Sequence, residues 1–200
     1  MFPLDGVLLL PGGRLPLNIF EPRYIQMVKD TLATSDRMIV MTQPLNDENN
    51  KNKVYSLGCA GKIISFEETA DHRFLISLLG MLRCDLINDV SEENGYKRMN
   101  VDFQNYFDDI KQKKETIERD VFLKSLKPYF HLKGLSADWE AIKTCDDERL
   151  ITTLAMICPF SSIEKQALLE ANTLNERADL MKVMLEMGTF DEGVSNGKKH

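Results

Sequence analysis

The sequence predicts an α+β fold, in which a small antiparallel sheet or barrel with one early helix precedes a bundle of helices. Before residue 108 the apolar runs are short and separated by Gly and Pro, as in a β-rich unit. After residue 108 apolar residues recur with a helical period, and capping patterns mark helix starts. We therefore expect a β-rich subdomain at 1–108, a helical subdomain at 109–188 and a flexible tail at 189–200, together forming one domain.

Glycine and proline delimit the elements of the first half. Val7–Leu10 and Leu15–Ile19 have strand-like composition, and the Pro-Gly-Gly sequence between them is a turn signal. Pro22 can occupy the first position of a helix, since no hydrogen bond is lost there. Phe20 is expected to pack against the start of that helix. Further strands are expected at Met38–Thr42, Val54–Leu57, Gly61–Phe66, Phe74–Leu79, Met81–Ile87 and Met99–Tyr106, with a polar loop at 44–53 and a polar turn at 88–95.

Capping signals divide the second half into helices. An apolar pattern predicts a helix over Ile110–Phe130. Asp146 can cap a helix that ends before Pro159, and Ser161 with Glu164 forms a capping box. The last helix is expected to begin at a Thr-x-x-Glu box, Thr173 to Glu176, and to end at Gly188.

Composition and charge exclude several protein classes. The chain has 200 residues, 43% of them hydrophobic and 28% charged, which is ordinary for a globular protein. No apolar run approaches the roughly 20 residues that a membrane helix needs, and the start lacks the basic region of a secretory signal. The net charge of −6, with no basic half or tail, argues against nucleic-acid binding. We expect a cytoplasmic protein that binds neither nucleic acid nor membrane.

The sequence lacks the usual motifs for catalysis and metal binding. It contains no G-x-x-x-x-G-K-[ST] loop for nucleotide phosphates and no H-E-x-x-H zinc motif. The three histidines are isolated, and the four cysteines form no C-x-x-C pair, so reduced, partly buried thiols are expected. Of the adjacent carboxylates, Asp146 is expected to cap a helix, and Asp108, Asp109 and Asp147 to be solvated. We therefore predict no catalytic residue, no metal site and no cofactor.

Residues 2–30 are the most informative segment of the chain. The N-terminal motifs are Phe2-Pro3-Leu4, Pro11-Gly12, Pro16-Leu17 and Ile19-Phe20-Glu21-Pro22-Arg23-Tyr24. In order and spacing they resemble the start of the N-terminal, substrate-binding domain of Lon proteases. The segments Arg73–Ile76 with Gly80 to Arg83, and Leu150–Ala155 with Leu168–Glu170, are similar to later, less specific parts of that domain. The resemblance covers residues 2–187, although the family usually has several residues before the Phe-Pro-Leu motif.

This resemblance implies a fold and a function. The fold would be a PUA-like β-pseudobarrel with one inserted helix, followed by a helical bundle. The function would be recognition of unfolded polypeptide, without the ATPase and peptidase domains that follow in Lon proteases. A second function also stays open, that of an adaptor that docks on a folded partner such as a protease or ATPase. Two less favoured functions are a peptidase, which the missing nucleotide loop and peptidase motifs oppose, and an RNA-binding protein, which the charge disfavours.

Two groups of residues are candidates for polypeptide contact. Glu21 lies at a helix start, where the helix dipole favours a negative charge, and Arg23 lies about one turn before Met27 and could project outward. The alternative is an internal salt bridge that holds the helix to the barrel. Met181 and Met184 lie in the last helix, where methionines can form an adaptable docking face or part of the bundle core.

Overall fold

The computed structural model describes residues 1–45, 53–111 and 115–196, with side chains for all of these except 89, 91–93 and 191–196. The chain forms two compact units, residues 1–112 and residues 113–200. The predicted loop at 44–53 falls largely outside the described residues. Its described ends are joined by a single antiparallel bridge between Pro44 and Val54.

In its described residues, the first unit is a six-stranded sheet with one α-helix and a 3₁₀ segment, Gln104–Ile110. The strands are β1 (Phe2–Pro3), β2 (Arg14–Ile19), β3 (Met38–Thr42), β4 (Leu57–Glu68), β5 (Phe74–Glu93) and β6 (Tyr96–Asp102), and the helix α1 is Pro22–Leu32. The strand order is β1-β3-β4-β5-β2, and β6 pairs with β5. The α+β class is confirmed, but β1 and β3 run parallel, so the sheet is mixed rather than purely antiparallel as predicted.

The Pro-Gly turn before β2 forms as predicted, but the run preceding it is not a strand. The Gly13 N–H donates to the Leu10 carbonyl at 2.9 Å, and Gly12 has a φ of +76°. This is a type II turn, which requires glycine at its third position and favours proline at its second. Residues Leu8 to Leu10 are buried without joining the sheet. Their apolar character comes from core packing, which composition alone does not distinguish from a buried strand.

β5 is a single long strand, although the sequence predicted a break at Gly80 and a turn from residue 88. The strand continues to Glu93, and the chain reverses at Asn94 and Gly95, where φ is +55° and +80°. Two consecutive positive φ values define the tight hairpin turn that Asn-Gly favours. The glycine at position 80 allows a close main-chain contact instead of ending the strand.

The second unit contains five helices in its described residues. They are α2 (Arg119–Leu132), α3 (Trp139–Thr144), α4 (Asp147–Ile157), α5 (Ser162–Glu170) and α6 (Leu174–Asn196). The caps are confirmed: the Arg149 N–H donates to the Asp146 carboxylate at 2.7 Å, and Ser161 forms a full capping box with Glu164. The helix predicted from Ile110 is wrong at its start, because Gln104–Ile110 is a 3₁₀ segment and α2 begins at Arg119.

α6 passes through the glycine at which it was predicted to end. It continues to Asn196, so residues 189–196 are helical rather than a loose tail, and residues 197–200 lie outside the described part. A Cβ at Gly188 would lie 2.8 Å from the Tyr129 ring of α2. Gly188 therefore allows α2 and α6 to approach closely, which is a packing requirement and not a capping one.

Two carboxylates that were expected to be solvated form buried or part-buried ion pairs. Asp109 binds Arg83, and their side chains are only 11% and 6% exposed. Asp147, whose side chain is 12% exposed, binds Arg119 in the helical unit. Both pairs join residues more than 25 positions apart, so local sequence could not reveal them.

Candidate functional site

Glu21 and Arg23 lie on the surface at the start of α1, where they form an ion pair with each other. The Arg23 Nη2 donates to the Glu21 carboxylate at 2.8 Å, and the two side chains are 51% and 44% exposed, respectively. The Arg23 guanidinium also lies 4.5 Å from the centre of the Tyr24 ring. This ion pair joins the N-cap residue of α1 to the second residue of the helix, and it does not tie the helix to a strand. Both groups are accessible to a partner.

Phe20 is exposed beside this ion pair, contrary to the prediction that it packs against the helix start. Its side chain is 62% exposed, and the Arg73 guanidinium lies 5.8 Å from its ring centre. Leu75, which is 40% exposed, pairs with Asn18 two residues before Phe20. We call Phe20, Glu21, Arg23, Arg73 and Leu75 the Phe20 surface. It combines exposed apolar area with charges of both signs, as many protein-binding surfaces do.

A cleft of about 520 Å³ opens farther along α1, between that helix, β3 and β6. Asp30 lies on its rim, where it accepts hydrogen bonds from the Tyr96 hydroxyl and from the Gln26 amide, both at 2.7 Å. These hydrogen bonds lower the pKa of Asp30, so its carboxylate is charged at neutral pH. Sequence reasoning missed this cleft because Asp30 and Tyr96 are brought together only by the fold.

The two methionines of α6 occupy different environments. Met181 is fully buried, together with Leu185 on the same face of the helix. Met181 therefore belongs to the core of the helical unit, where a partner cannot contact it. Met184 is half-buried at the edge of that face. The exposed apolar residues of α6 lie on its opposite face at Val183, Met187 and Phe190.

The four thiols differ in their access to solvent. Cys59, Cys84 and Cys158 are buried, whereas Cys145 is half-buried, and none of the four forms a disulfide. Burial raises the pKa of Cys84 and of Cys158 to about 12 and raises that of Cys59 well above its usual value. Cys145 borders a cavity of about 610 Å³, and its sulfur accepts a hydrogen bond from Arg119 Nη2 at 3.5 Å.

We expect one thiol of the native protein to react with a thiol reagent and four to react after denaturation. The thiolate is the reactive form, so a buried thiol with a raised pKa reacts slowly. Ellman's reagent at pH 8 should therefore titrate Cys145 first, and Cys145→Ser should lower the native count from one to zero. A native count of four would contradict the buried positions of the other three cysteines.

Within the described residues, no group of three or more His, Cys, Asp or Glu side chains is placed to hold a metal ion. None of the described helices combines the length and apolar character needed to span a membrane.

Comparisons with known proteins identify the chain's relatives. Residues 1–186 match the family described as the ATP-dependent protease La (LON) substrate-binding domain. The chain is 23% identical over 193 residues to Lon protease 2 of Desulfotalea psychrophila and 21% identical over 191 residues to Lon protease of Buchnera aphidicola. These matches cover 92% and 93% of this chain but 24% of each relative, so the chain spans about a quarter of their length.

Two solved structures share the fold. One is a Lon N-terminal domain protein from Xanthomonas campestris, with a TM-score of 0.63, 19% identity and coverage of 91% of this chain and 95% of that one. The other is the N-terminal domain of Lon protease from the Mycobacterium avium complex, with a TM-score of 0.62, 17% identity and coverage of 95% and 96%.

Proposed function

The chain belongs to the family of ATP-dependent protease La (LON) substrate-binding domains, and from this membership we propose that it is a non-catalytic module that binds polypeptide chains. The matched family model is that of a domain that binds substrate. The proposal includes the absence of ATP hydrolysis, because the sequence contains no nucleotide-binding loop. It also includes the absence of peptide-bond hydrolysis, because the family model that matches residues 1–186 is that of a substrate-binding domain. The partner we propose is an unfolded segment of a client protein.

The Phe20 surface is the observation that supports this function best. The Phe20 ring presents a large apolar area to water, and burying that area against an apolar side chain of a client is favourable. The ion pair of Glu21 and Arg23 beside it can orient a client main chain through hydrogen bonds to its N–H and C=O groups. Glu21 and Arg23 are therefore the polar contact residues that we propose.

We expect the triple variant Phe20→Ala/Glu21→Ala/Arg23→Ala to bind an unfolded client at least about tenfold more weakly than the wild type. Loss of one aromatic anchor commonly costs a binding interface 2 kcal/mol or more, which exceeds a tenfold change in Kd. Binding of reduced, carboxymethylated lactalbumin, measured by fluorescence anisotropy, tests this expectation. The melting temperature should change little, because an exposed ion pair contributes less than about 1 kcal/mol to stability.

The chain offers a matched control on the same unit. Phe107 is 56% exposed, and Asp108 forms an exposed ion pair with Lys111 at 2.6 Å. Alanine at these three positions removes the same residue classes, so it should leave client affinity unchanged. Equal losses in the two triple variants would show that the Phe20 surface has no special role.

Salt separates apolar binding from charge attraction. The protein is acidic, so a basic client could bind through its net charge alone. Exposed charges are screened beyond about 3 Å at 1 M salt, whereas apolar burial is not weakened. Client binding should therefore persist at 1 M NaCl, and its disappearance there would contradict the apolar contribution of Phe20.

An adaptor that docks on a folded partner such as a protease or ATPase is the second candidate function. It is favoured by the exposed face of α6, where Val183, Met187 and Phe190 recur at helical spacing. A helical partner could cover such a face. Affinity capture with the purified chain distinguishes the two functions, because an adaptor should retain one or a few folded proteins and a client-binding module many unfolded ones.

A further inference from the structure

The cavity of about 610 Å³ in the helical unit is lined by both α3 and α4, and we call it the α3–α4 cavity. Its volume lies within the range of ordinary ligand sites. Its apolar lining includes Phe130, Ala141, Ile142, Leu150, Leu154 and Ile157. All of its lining residues lie between positions 130 and 157, a stretch that the structure describes without a gap. The cavity therefore belongs to one unit and can bury an apolar ligand there.

The α4 wall of this cavity differs in character from one end to the other. Arg149, Thr153 and Ile157 follow one another at four-residue intervals, and all three line the cavity. Residues four apart lie on the same face of a helix, and eight residues of helix span about 12 Å. Ile157, at the far end from Arg149, is 61% exposed. A cation thus lies at one end of the wall and an uncovered apolar side chain at the other.

Arg149 is the charge in the lining that is available to a ligand. Of the described residues that line the cavity, two are charged, Arg149 and Asp138. The Asp138 carboxylate caps α3 and accepts two main-chain N–H bonds, at 3.1 and 3.0 Å. Asp146 accepts the main-chain N–H of Arg149, and Asp147 binds Arg119. Among the described residues, the Arg149 guanidinium itself has no hydrogen-bond or ion-pair partner.

These features match the chemistry of an aliphatic carboxylate. A carboxylate can bind a guanidinium through two parallel hydrogen bonds, and Arg149 would break no existing bond to form them. Each methylene group of the ligand gains free energy when the apolar wall covers it. An extended chain of about nine or ten carbons spans the roughly 12 Å between the two ends of the wall.

We propose that the α3–α4 cavity binds a medium-chain fatty acid, with its carboxylate at Arg149 and its alkyl chain along α4 toward Ile157. This inference goes beyond polypeptide binding and does not depend on it, because the Phe20 surface belongs to the sheet unit. It gives the helical unit a small-molecule ligand of its own.

Binding of decanoate by the purified chain tests this proposal directly. Trp139 is the single tryptophan of the sequence, and its ring centre lies 5.9 Å from that of Phe130, so its fluorescence reports on the cavity. Decanoate should bind at least about tenfold more tightly than hexanoate, which has four fewer methylene groups, and than decan-1-ol, which lacks the charge. Equal affinities for decanoate and either of these two ligands would overturn the proposal.

The melting temperature distinguishes binding from unfolding by an amphiphile. A ligand that binds the native state raises the melting temperature by mass action. Decanoate should therefore raise it, and a fall at the concentrations that change the Trp139 fluorescence would overturn the proposal.

Removal of the Arg149 charge tests the position of the carboxylate. Arg149→Gln should bind decanoate at least about tenfold more weakly than the wild type and decan-1-ol equally well. Arg14 is an exposed arginine of β2 in the sheet unit, so Arg14→Gln is the matched control and should bind both ligands like the wild type. Wild-type affinity of Arg149→Gln for decanoate would overturn the proposal.

Two further measurements test the position of the alkyl chain. Cys145 lines the cavity, so saturating decanoate should slow its reaction with Ellman's reagent at least about fivefold. Ala141→Phe places a ring in the cavity and should weaken decanoate binding, whereas Ala70→Phe, at an exposed alanine of the sheet unit, should not. An unchanged rate for Cys145 would place the ligand elsewhere and overturn the proposal.

The remaining outcomes separate this site from the proposed function. Arg149→Gln should bind carboxymethylated lactalbumin like the wild type, so either proposal can fail while the other stands. An acetylated tripeptide that ends in leucine offers the same carboxylate on an apolar peptide. If it displaces decanoate and binds more tightly, the cavity accepts the ends of polypeptide chains, and the fatty-acid proposal is wrong.

Discussion

Gly80→Ala should destabilise the sheet unit by about 3–5 kcal/mol, a large part of the 5–15 kcal/mol that stabilises a typical domain. A Cβ at position 80 would lie 2.0 Å from the Leu10 carbonyl oxygen and 2.8 Å from its carbon. These are main-chain atoms, so no side-chain rotation relieves the clash. The Gly80 N–H donates to the Gly13 carbonyl and its own carbonyl accepts from the Gly12 N–H, both at 2.9 Å. Moving the strand away would break both bonds.

Urea unfolding followed by circular dichroism measures this loss. Gly12→Ala is the matched control: a Cβ there meets no atom within 4 Å, and the only strain comes from its positive φ of +76°. A left-handed alanine costs about 1–2 kcal/mol, so this variant should be clearly less destabilised than Gly80→Ala. Equal midpoints for Gly80→Ala and the wild type would refute the close contact with Leu10.

Asp109→Ala should also be severely destabilising, by about 3–5 kcal/mol, because it leaves a buried guanidinium without its carboxylate. Asp109 accepts hydrogen bonds from the Arg83 N–H and Nε at 3.0 Å and from Nη2 at 2.9 Å. The guanidinium also lies 5.0 Å from the centre of the Tyr106 ring. Removing one partner of a buried pair costs more than the pair contributes, since the remaining charge stays desolvated after losing its carboxylate.

Two further variants test this explanation. Asp108→Ala removes the neighbouring carboxylate, which is 61% exposed and paired with Lys111, and should cost less than about 1 kcal/mol. Replacing both Arg83 and Asp109 with leucine removes the uncompensated charge, so the double variant should be more stable than Asp109→Ala. A double variant that is less stable than Asp109→Ala would show that the loss comes from packing rather than from charge.

Local signals in the sequence were sufficient for elements that depend on neighbouring residues. The helix start at Pro22, the turn at Pro11-Gly12-Gly13 and the capping box at Ser161 were predicted and are confirmed. Each of these features is stabilised by bonds or sterics within a few residues, so the amino acids involved lie side by side in the sequence. The N-terminal motifs also identified the family correctly, because their spacing is specific.

Glycines were misinterpreted where their role is a contact with a distant segment. Gly80 and Gly188 were predicted to end a strand and a helix, but each lies inside its element and makes room for Leu10 or Tyr129. A glycine that ends a helix or strand and a glycine that allows close packing inside one look the same in the sequence. Only the position of the neighbouring element in the fold shows which role the glycine has.

The sequence by itself determined the fold class, the local caps and turns, and the membership of a substrate-binding family. The tertiary structure decided which charges are buried, since Asp109 and Asp108 are adjacent in the chain but only Asp109 meets Arg83. It also decided that Met181 is core, that Phe20 is exposed, and that β3 and β6 enclose a cleft. Whether a residue is buried, or a strand edge is exposed, depends on which segments distant in the sequence pack together. The periodicity of apolar residues along the chain does not indicate which segments those are.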